Sequence, residues 1–184
     1  MLVKSAWIPA KAMAAQFLLS HSWRNIQAGD SLARPWPWAD TRPAAVLSVP
    51  RMNIEQFVLE GSSGRNLAFG PVLMNRFSGD SGGSRDRIIN GHRDTHFSFL
   101  QQLRTGDVIY LDTVETRQEF RVAALEVIDS RLQELVLEPG VNRLSLVTCY
   151  PFDAAFAGGP FRYVVTALPS DHAFFKPRPA PPSG

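Results

Sequence analysis

The sequence predicts a mostly all-β protein preceded by one amphipathic helix. Short runs that alternate apolar and polar residues, or are rich in Val, Ile, Phe and Tyr, recur from Ala44 onward, with the period of half-buried strands. Fourteen prolines and thirteen glycines among 184 residues cut the chain into many turns. Only one segment, ahead of Asp30, keeps a helical period over several turns. A chain of this length makes one domain with a single good core and short appendages. The boundaries fall at 1–43 for the helix and its connector, 44–169 for the β domain, and 170–184 for a proline-rich tail.

The helix is predicted over Trp7 to Ile26. Ile8, Ala12, Ala15, Leu19, Trp23 and Ile26 recur every three or four positions and line one face. Pro9 suits its first turn and Gly29 its stop. Lys4, Lys11 and Arg24 are positive, and no acid appears before Asp30. The apolar face can pack on the β domain, and the basic residues can hold the helix beside a membrane surface. These readings are compatible. Arg34-Pro35-Trp36-Pro37-Trp38 is an extended connector, since each proline biases its predecessor away from helix. Its two tryptophans are expected to clamp the helix to the β domain.

Strands follow at Ala45–Val49, Ile54–Leu59 and Val72–Met74, with turns at Gly61–Gly64 and Gly79–Ser84. The second turn contains Gly79-Asp80-Ser81-Gly82-Gly83, which imitates the nucleophile segment of trypsin-like proteases. Those need a histidine and then an aspartate well upstream, and only His21 precedes Ser81. We read the string as a turn. Arg87–Gly91 is the next strand, and it delivers His92. Thr95–Leu103 reads as a short helix with Thr95 as N-cap and Gly106 beyond its end.

His92 and His96 are one helical turn apart, the spacing of a zinc half-site. Arg93 stands where the usual motif has glutamate, and Thr95 breaks the helix before His96. No metal is expected, and His96 is assigned to capping or packing. Asp94 is placed to orient a neighbour. Val108–Asp112 and Gln118–Asp129 are strands, with Glu115, Glu119 and Glu126 as solvated charges. Ser130–Val141 has Leu132, Leu135 and Val136 at helical spacing and Pro139-Gly140 as a stop. Lys176–Gly184 has no apolar period and is expected to fray.

The only cysteine lies in Arg143-Leu144-Ser145-Leu146-Val147-Thr148-Cys149-Tyr150-Pro151. Alternation marks a half-buried strand, and Pro151 ends it. Cys149 at that end is either a small buried hydrophobe or, once deprotonated, a nucleophile. Two further stretches favour chemistry. Ile88-Ile89-Asn90-Gly91-His92-Arg93-Asp94 ends an apolar run in a histidine. Gly158-Gly159-Pro160-Phe161-Arg162-Tyr163-Val164-Val165-Thr166 starts a β-forming run with an arginine. A base, a thiol and a cation at three strand ends suit acyl transfer.

These motifs resemble the sortases. The family pattern is a Thr-Cys strand end (Leu146-Val147-Thr148-Cys149), an upstream Gly-His (Gly91-His92) and a downstream strand arginine (Arg162). Leu146 departs from it, since many sortases carry threonine there. The strings NGHRDTHF, LVTCYPFD and GGPFRYVVTA look most like sortases of Gram-negative bacteria, and the resemblance runs from about Ala44 to Pro169.

The resemblance implies an eight-stranded, closed or nearly closed β-barrel with short helices. It implies a cysteine transpeptidase in which Cys149 attacks a sorting-signal carbonyl and His92 serves as acid and base. Arg162 would bind the peptide or oxyanion, and Thr148, with Val147 and Tyr150, would contact the substrate. Residues 130–141 and 151–160 would wall the peptide groove, with Phe152 and Phe156 as core or lining. The implied partners are a protein bearing a C-terminal sorting signal of the Leu-Pro-x-Thr-Gly type and an amine-bearing surface acceptor. No cofactor is implied. Some sortases bind calcium near Glu115–Glu126, but no dense carboxylate loop occurs there.

The family's usual N-terminal anchor is expected ahead of Met1, with the catalytic domain on the periplasmic face of the inner membrane; a soluble protein is the alternative. Met1–Pro9 lacks a secretory apolar region, and no stretch reaches the roughly 20 apolar residues of a membrane span. A net charge of only +2, with no basic cluster, argues against nucleic acid. Three rivals stand beside the transpeptidase: a cysteine hydrolase with the same triad, a zinc hydrolase using His92, His96 and Cys149, and a non-catalytic peptide-binding barrel.

Overall fold

The computed structural model describes residues 3–61, 64–74, 86–135, 140–154, 158–170 and 176–177. The turn at Gly79–Ser84 with Ser81, and the side chains of Val136, Pro139 and Phe156, lie outside them.

Apolar alternation becomes eight short strands: β1 (Pro43–Val49), β2 (Ile54–Glu60), β3 (Val72–Leu73), β4 (Arg87–Asn90), β5 (Val108–Asp112), β6 (Thr116–Asp129), β7 (Leu144–Cys149) and β8 (Phe161–Pro169). They pair in the order β5-β1-β2-β3-β4-β7-β8-β6, and β6 pairs back onto β5. The sheet is therefore a closed barrel, which leaves no long unpaired edge. Lys176–Pro177, expected to fray, instead forms β9 and pairs with Thr116 and Arg117 of β6. The pairs β2–β3 and β4–β7 are parallel. Inward-facing Leu47, Ile89, Ile109, Phe120, Leu144 and Leu146 are all fully buried and form the barrel core.

Helix α1 spans Val3–Gln27. It begins before Trp7, so Pro9 lies inside the helix rather than at its start. Ala15, Leu19, Trp23 and Ile26 are buried, as their spacing predicts, and Leu19 packs with Leu59 and Val72. Gln16 fastens the helix to the barrel by donating to the Phe69 carbonyl at 3.0 Å and accepting from the Phe57 N–H at 2.9 Å. Trp36 packs on Phe69 at 4.9 Å between ring centres. Trp38 is 82% exposed, so one tryptophan and not two joins the connector to the barrel. No helix among the described residues is long and apolar enough to cross a membrane.

Two helical expectations are corrected. Thr95–Leu103 contains only a 3₁₀ turn at Ser98–Gln102. Thr95 and Phe97 both direct their N–H groups to the His92 carbonyl, and the hydroxyl of Thr95 caps nothing among the described residues. Residues 130–135 form turns and loop without a helix. Leu132 is exposed, while Leu135 packs on the outside of the barrel against Ile88, Ile128, Val147 and Val164. The apolar spacing there serves that external patch.

Candidate active site

Strand parity places the chemistry. Along β7, Leu144 and Leu146 enter the core, so Val147 and Cys149 face outward. Cys149, the final residue of β7, is half-buried and unpaired. Its Cα partner across the β7–β8 ladder is Arg162. Arg162 shares the outward face with Val164 and, across β6, with Ile128. Two of the expected triad residues are thus brought side by side by register alone.

His92 arrives from the neighbouring strand. β4 runs parallel to β7, with Asn90 opposite Val147. The ladder extends by a bond from the Gly91 N–H to the Val147 carbonyl at 3.1 Å. The Thr148 hydroxyl then donates to the Gly91 carbonyl at 2.7 Å. Gly91 must be glycine: a Cβ there would stand 2.5 Å from Cγ of the buried Phe97 ring. Beyond this point the chain turns away, and His92 is exposed at the Cys149 end of the barrel.

The three other expected residues divide by parity. Val147 is 7% exposed and belongs to the outer apolar patch that ends at Cys149. Thr148 is 3% exposed with its hydroxyl committed to Gly91, so it braces the site from beneath. Tyr150 is half-buried and stacks on Tyr163, while Phe152 meets both rings edge-on. Phe152 thereby joins the edge of the core.

Arg162 is opposite the cysteine, but its Nη1 turns back to the carbonyls of Gly159 and Phe161, at 2.6 and 2.9 Å. One arm of the fork is thus tied to its own loop. A second arginine, Arg93, is bonded to the loop that follows Cys149. The guanidinium is 6% exposed, and Asp94 foremost, with smaller contributions from Cys149 and Asp153, holds its pKa above the ordinary value. Sequence reasoning saw in Arg93 only the residue that spoils a zinc motif. Its importance is tertiary, and no local pattern announces it.

His96 is not exposed with His92. It is 4% exposed, with Nδ1 3.1 Å from Oε1 of Gln56 on β2. Burial, and then the charge of His92, lower its pKa to about 4, against a smaller opposing pull from the Ala68 backbone. It is a neutral packing residue near neutral pH, as assigned. Asp94 does orient a neighbour, chelating Arg93 through both oxygens at 2.6 and 3.1 Å.

A thiol, an imidazole and an arginine at one barrel end can bind a peptide and transfer its acyl group. Comparisons with known proteins agree with the fold. The family model for the sortase domain matches residues 47–170. Sortase D of Bacillus subtilis (strain 168) is 26% identical over 124 residues, 66% of this chain and 61% of that protein. Sortase A of Bacillus anthracis is 27% identical over 107 residues, 56% of this chain and 50% of that protein. The chain thus spans between half and two thirds of the curated relatives it matches. Among solved structures, the pilus-related sortase C of Group B Streptococcus superposes with a TM-score of 0.58 at 23% identity, covering 71% of this chain and 68% of that one. With the barrel topology and a family match over most of the chain, this protein belongs to the sortase family.

Proposed function

We propose that the chain is a sortase-type cysteine transpeptidase, with Cys149 as nucleophile, His92 as acid and base, and Arg162 as the cation for peptide or oxyanion. The observation that carries this reading is the meeting of three strands at one barrel end. Cys149 faces Arg162 in register, and the residue before it is bonded to the residue before His92.

The sulfur, as thiolate, attacks the scissile carbonyl to give a tetrahedral oxyanion. The C–N bond breaks, the leaving amine takes a proton from the His92 imidazolium, and a thioester to Cys149 remains. An acceptor amine then attacks that thioester, gives its proton to His92, and expels the thiolate as a new amide forms. Arg162 has five N–H donors; Nη1 is bonded to the Gly159 and Phe161 carbonyls, and Nε and Nη2 carry the donors offered to a bound peptide or oxyanion. On the outer face of the barrel, Ile88, Val147, Val164 and Ile128 pack with Leu135 into a buried apolar cluster that fixes the strand ending at Cys149.

The substrate is, on this reading, a protein with a C-terminal sorting signal, and the acceptor an amine on a surface component. The barrel works outside the cytoplasm, tethered to the inner membrane ahead of α1. Support for a Gram-negative setting is the likeness of the strings around His92, Cys149 and Arg162; the relatives found here are from Gram-positive bacteria. A cysteine hydrolase shares every residue of the site and differs only in what resolves the thioester. Incubation with sorting peptides and a panel of primary amines, with products identified by mass, separates the two. Transpeptidation predicts amide products that rise with amine concentration, and hydrolysis predicts free acid whatever the amine.

A further inference from the structure

The backbone on one side of the His92–Cys149 pair is held by the bond from Thr148 to the Gly91 carbonyl. The other side is held differently. Arg93, the residue after His92, sends Nη1 to the Pro151 carbonyl at 2.6 Å and Nη2 to the Ala154 carbonyl at 2.8 Å. Nε and Nη2 also chelate Asp94, whose side chain is 64% exposed. The guanidinium therefore spans from the histidine turn to the loop that follows the cysteine.

We propose that Arg93 is a positioning residue for acyl transfer: its planar fork closes a second clamp, so that His92 and Cys149 are each held between two anchored neighbours. The inference rests on the transpeptidase reading above. Geometry gives the reason. His92 is exposed and lies beyond the last ladder bond of β4, so nothing in the sheet fixes the chain after Gly91. The loop after Cys149 is likewise outside the ladder once Tyr150 N–H has bonded the Phe161 carbonyl at 3.1 Å. Each segment has turn bonds of its own, from the Thr95 and Phe97 N–H groups to the His92 carbonyl and from the Ala154 N–H to the Pro151 carbonyl, and Arg93 joins the two segments to each other directly. A buried cation would be a costly way to do this unless its N–H groups were well used, and four hydrogen bonds to oxygen satisfy it. Lysine retains the charge but cannot present the rigid fork to Asp94 and two carbonyls at once.

The test follows the thiol directly, without a peptide substrate. The rate constant for alkylation of Cys149 by iodoacetamide is measured at neutral pH in the wild type, Arg93→Lys, His92→Ala and the double variant. The clamp predicts that Arg93→Lys slows alkylation about 10- to 100-fold when His92 is present, the order expected when reacting groups sit about an ångström out of place. In the His92→Ala background the same substitution should cost less than about twofold, because there is no imidazole left to misplace. Equal slowing in both backgrounds, or none in either, overturns the clamp. A His92→Ala protein that alkylates at the wild-type rate overturns the Cys-His reading itself, and with it the inference. Should Arg93→Lys fail to fold, Asp94→Ala removes the exposed partner of the fork. That variant must show the same dependence on His92, at about three- to tenfold, or the clamp fails.

Discussion

The hydroxyl of Thr148 donates to the carbonyl of Gly91 at 2.7 Å, so the residue before the cysteine is bonded to the residue before the histidine. This contact converts the parallel pairing of β4 and β7 into a fixed relation between the chain at Cys149 and the chain at His92. It is buried and shielded from competing water.

Thr148→Val keeps the shape and removes the donor. Stability should fall by roughly 1–3 kcal/mol, the usual cost of leaving a buried acceptor unpaired. Turnover should fall by about tenfold as the histidine turn relaxes away from the cysteine. Denaturant titration and steady-state kinetics on the same preparation check both. A variant with unchanged stability and turnover would show that the ladder alone holds the site.

Arg162→Lys retains a positive charge opposite Cys149 and loses the planar fork. If the guanidinium acts on charge that develops during acyl transfer, kcat should fall by roughly 10- to 1,000-fold. A KM effect alone would restrict Arg162 to holding the peptide. A wild-type kcat with unchanged KM would leave only the Cys-His pair, and the bonds to Gly159 and Phe161 would then be the arginine's whole purpose.

His96 makes stability depend on pH. Its folded pKa is about 4 against an ordinary 6.5. Above pH 6.5 both folded and unfolded chains leave it neutral. Between pH 6.5 and about 4 the unfolded chain takes up a proton that the folded one refuses, so stability falls as the solution is acidified. The full loss, complete below about pH 4, is on the order of 3 kcal/mol at ~1.4 kcal/mol per pKa unit. Melting the wild type and His96→Gln at a series of pH values isolates it. The variant should lose that part of the slope, and identical slopes would mean that the imidazole is hydrated in the folded protein.

Much of this site was legible because strands announce their own ends. Gly91 ends an apolar run and Pro151 an alternating one, and the nearby His92 and Cys149 come to the same end of the barrel because β4 and β7 run parallel. The register that sets Arg162 opposite Cys149 needed the fold, although an arginine opening a β-rich run pointed to it. What stayed hidden is tertiary. Arg93 bonds carbonyls far along the chain, and carbonyls have no sequence signature. Trp38 and Thr95 differ from their expected roles for the same reason. A tryptophan in a stiff connector can face either way, and a cap needs a true helix beneath it, which the 3₁₀ turn at Ser98–Gln102 does not supply.

The central claim is that Cys149 carries the acyl group. The direct measurement is the intact mass of the enzyme after brief incubation with sorting peptides and no added amine, followed by peptide mapping. The account predicts a mass increase equal to the acyl fragment, located on Cys149, discharged by hydroxylamine and absent in Cys149→Ala. Product formation from the same peptides by Cys149→Ala at the wild-type rate would contradict it.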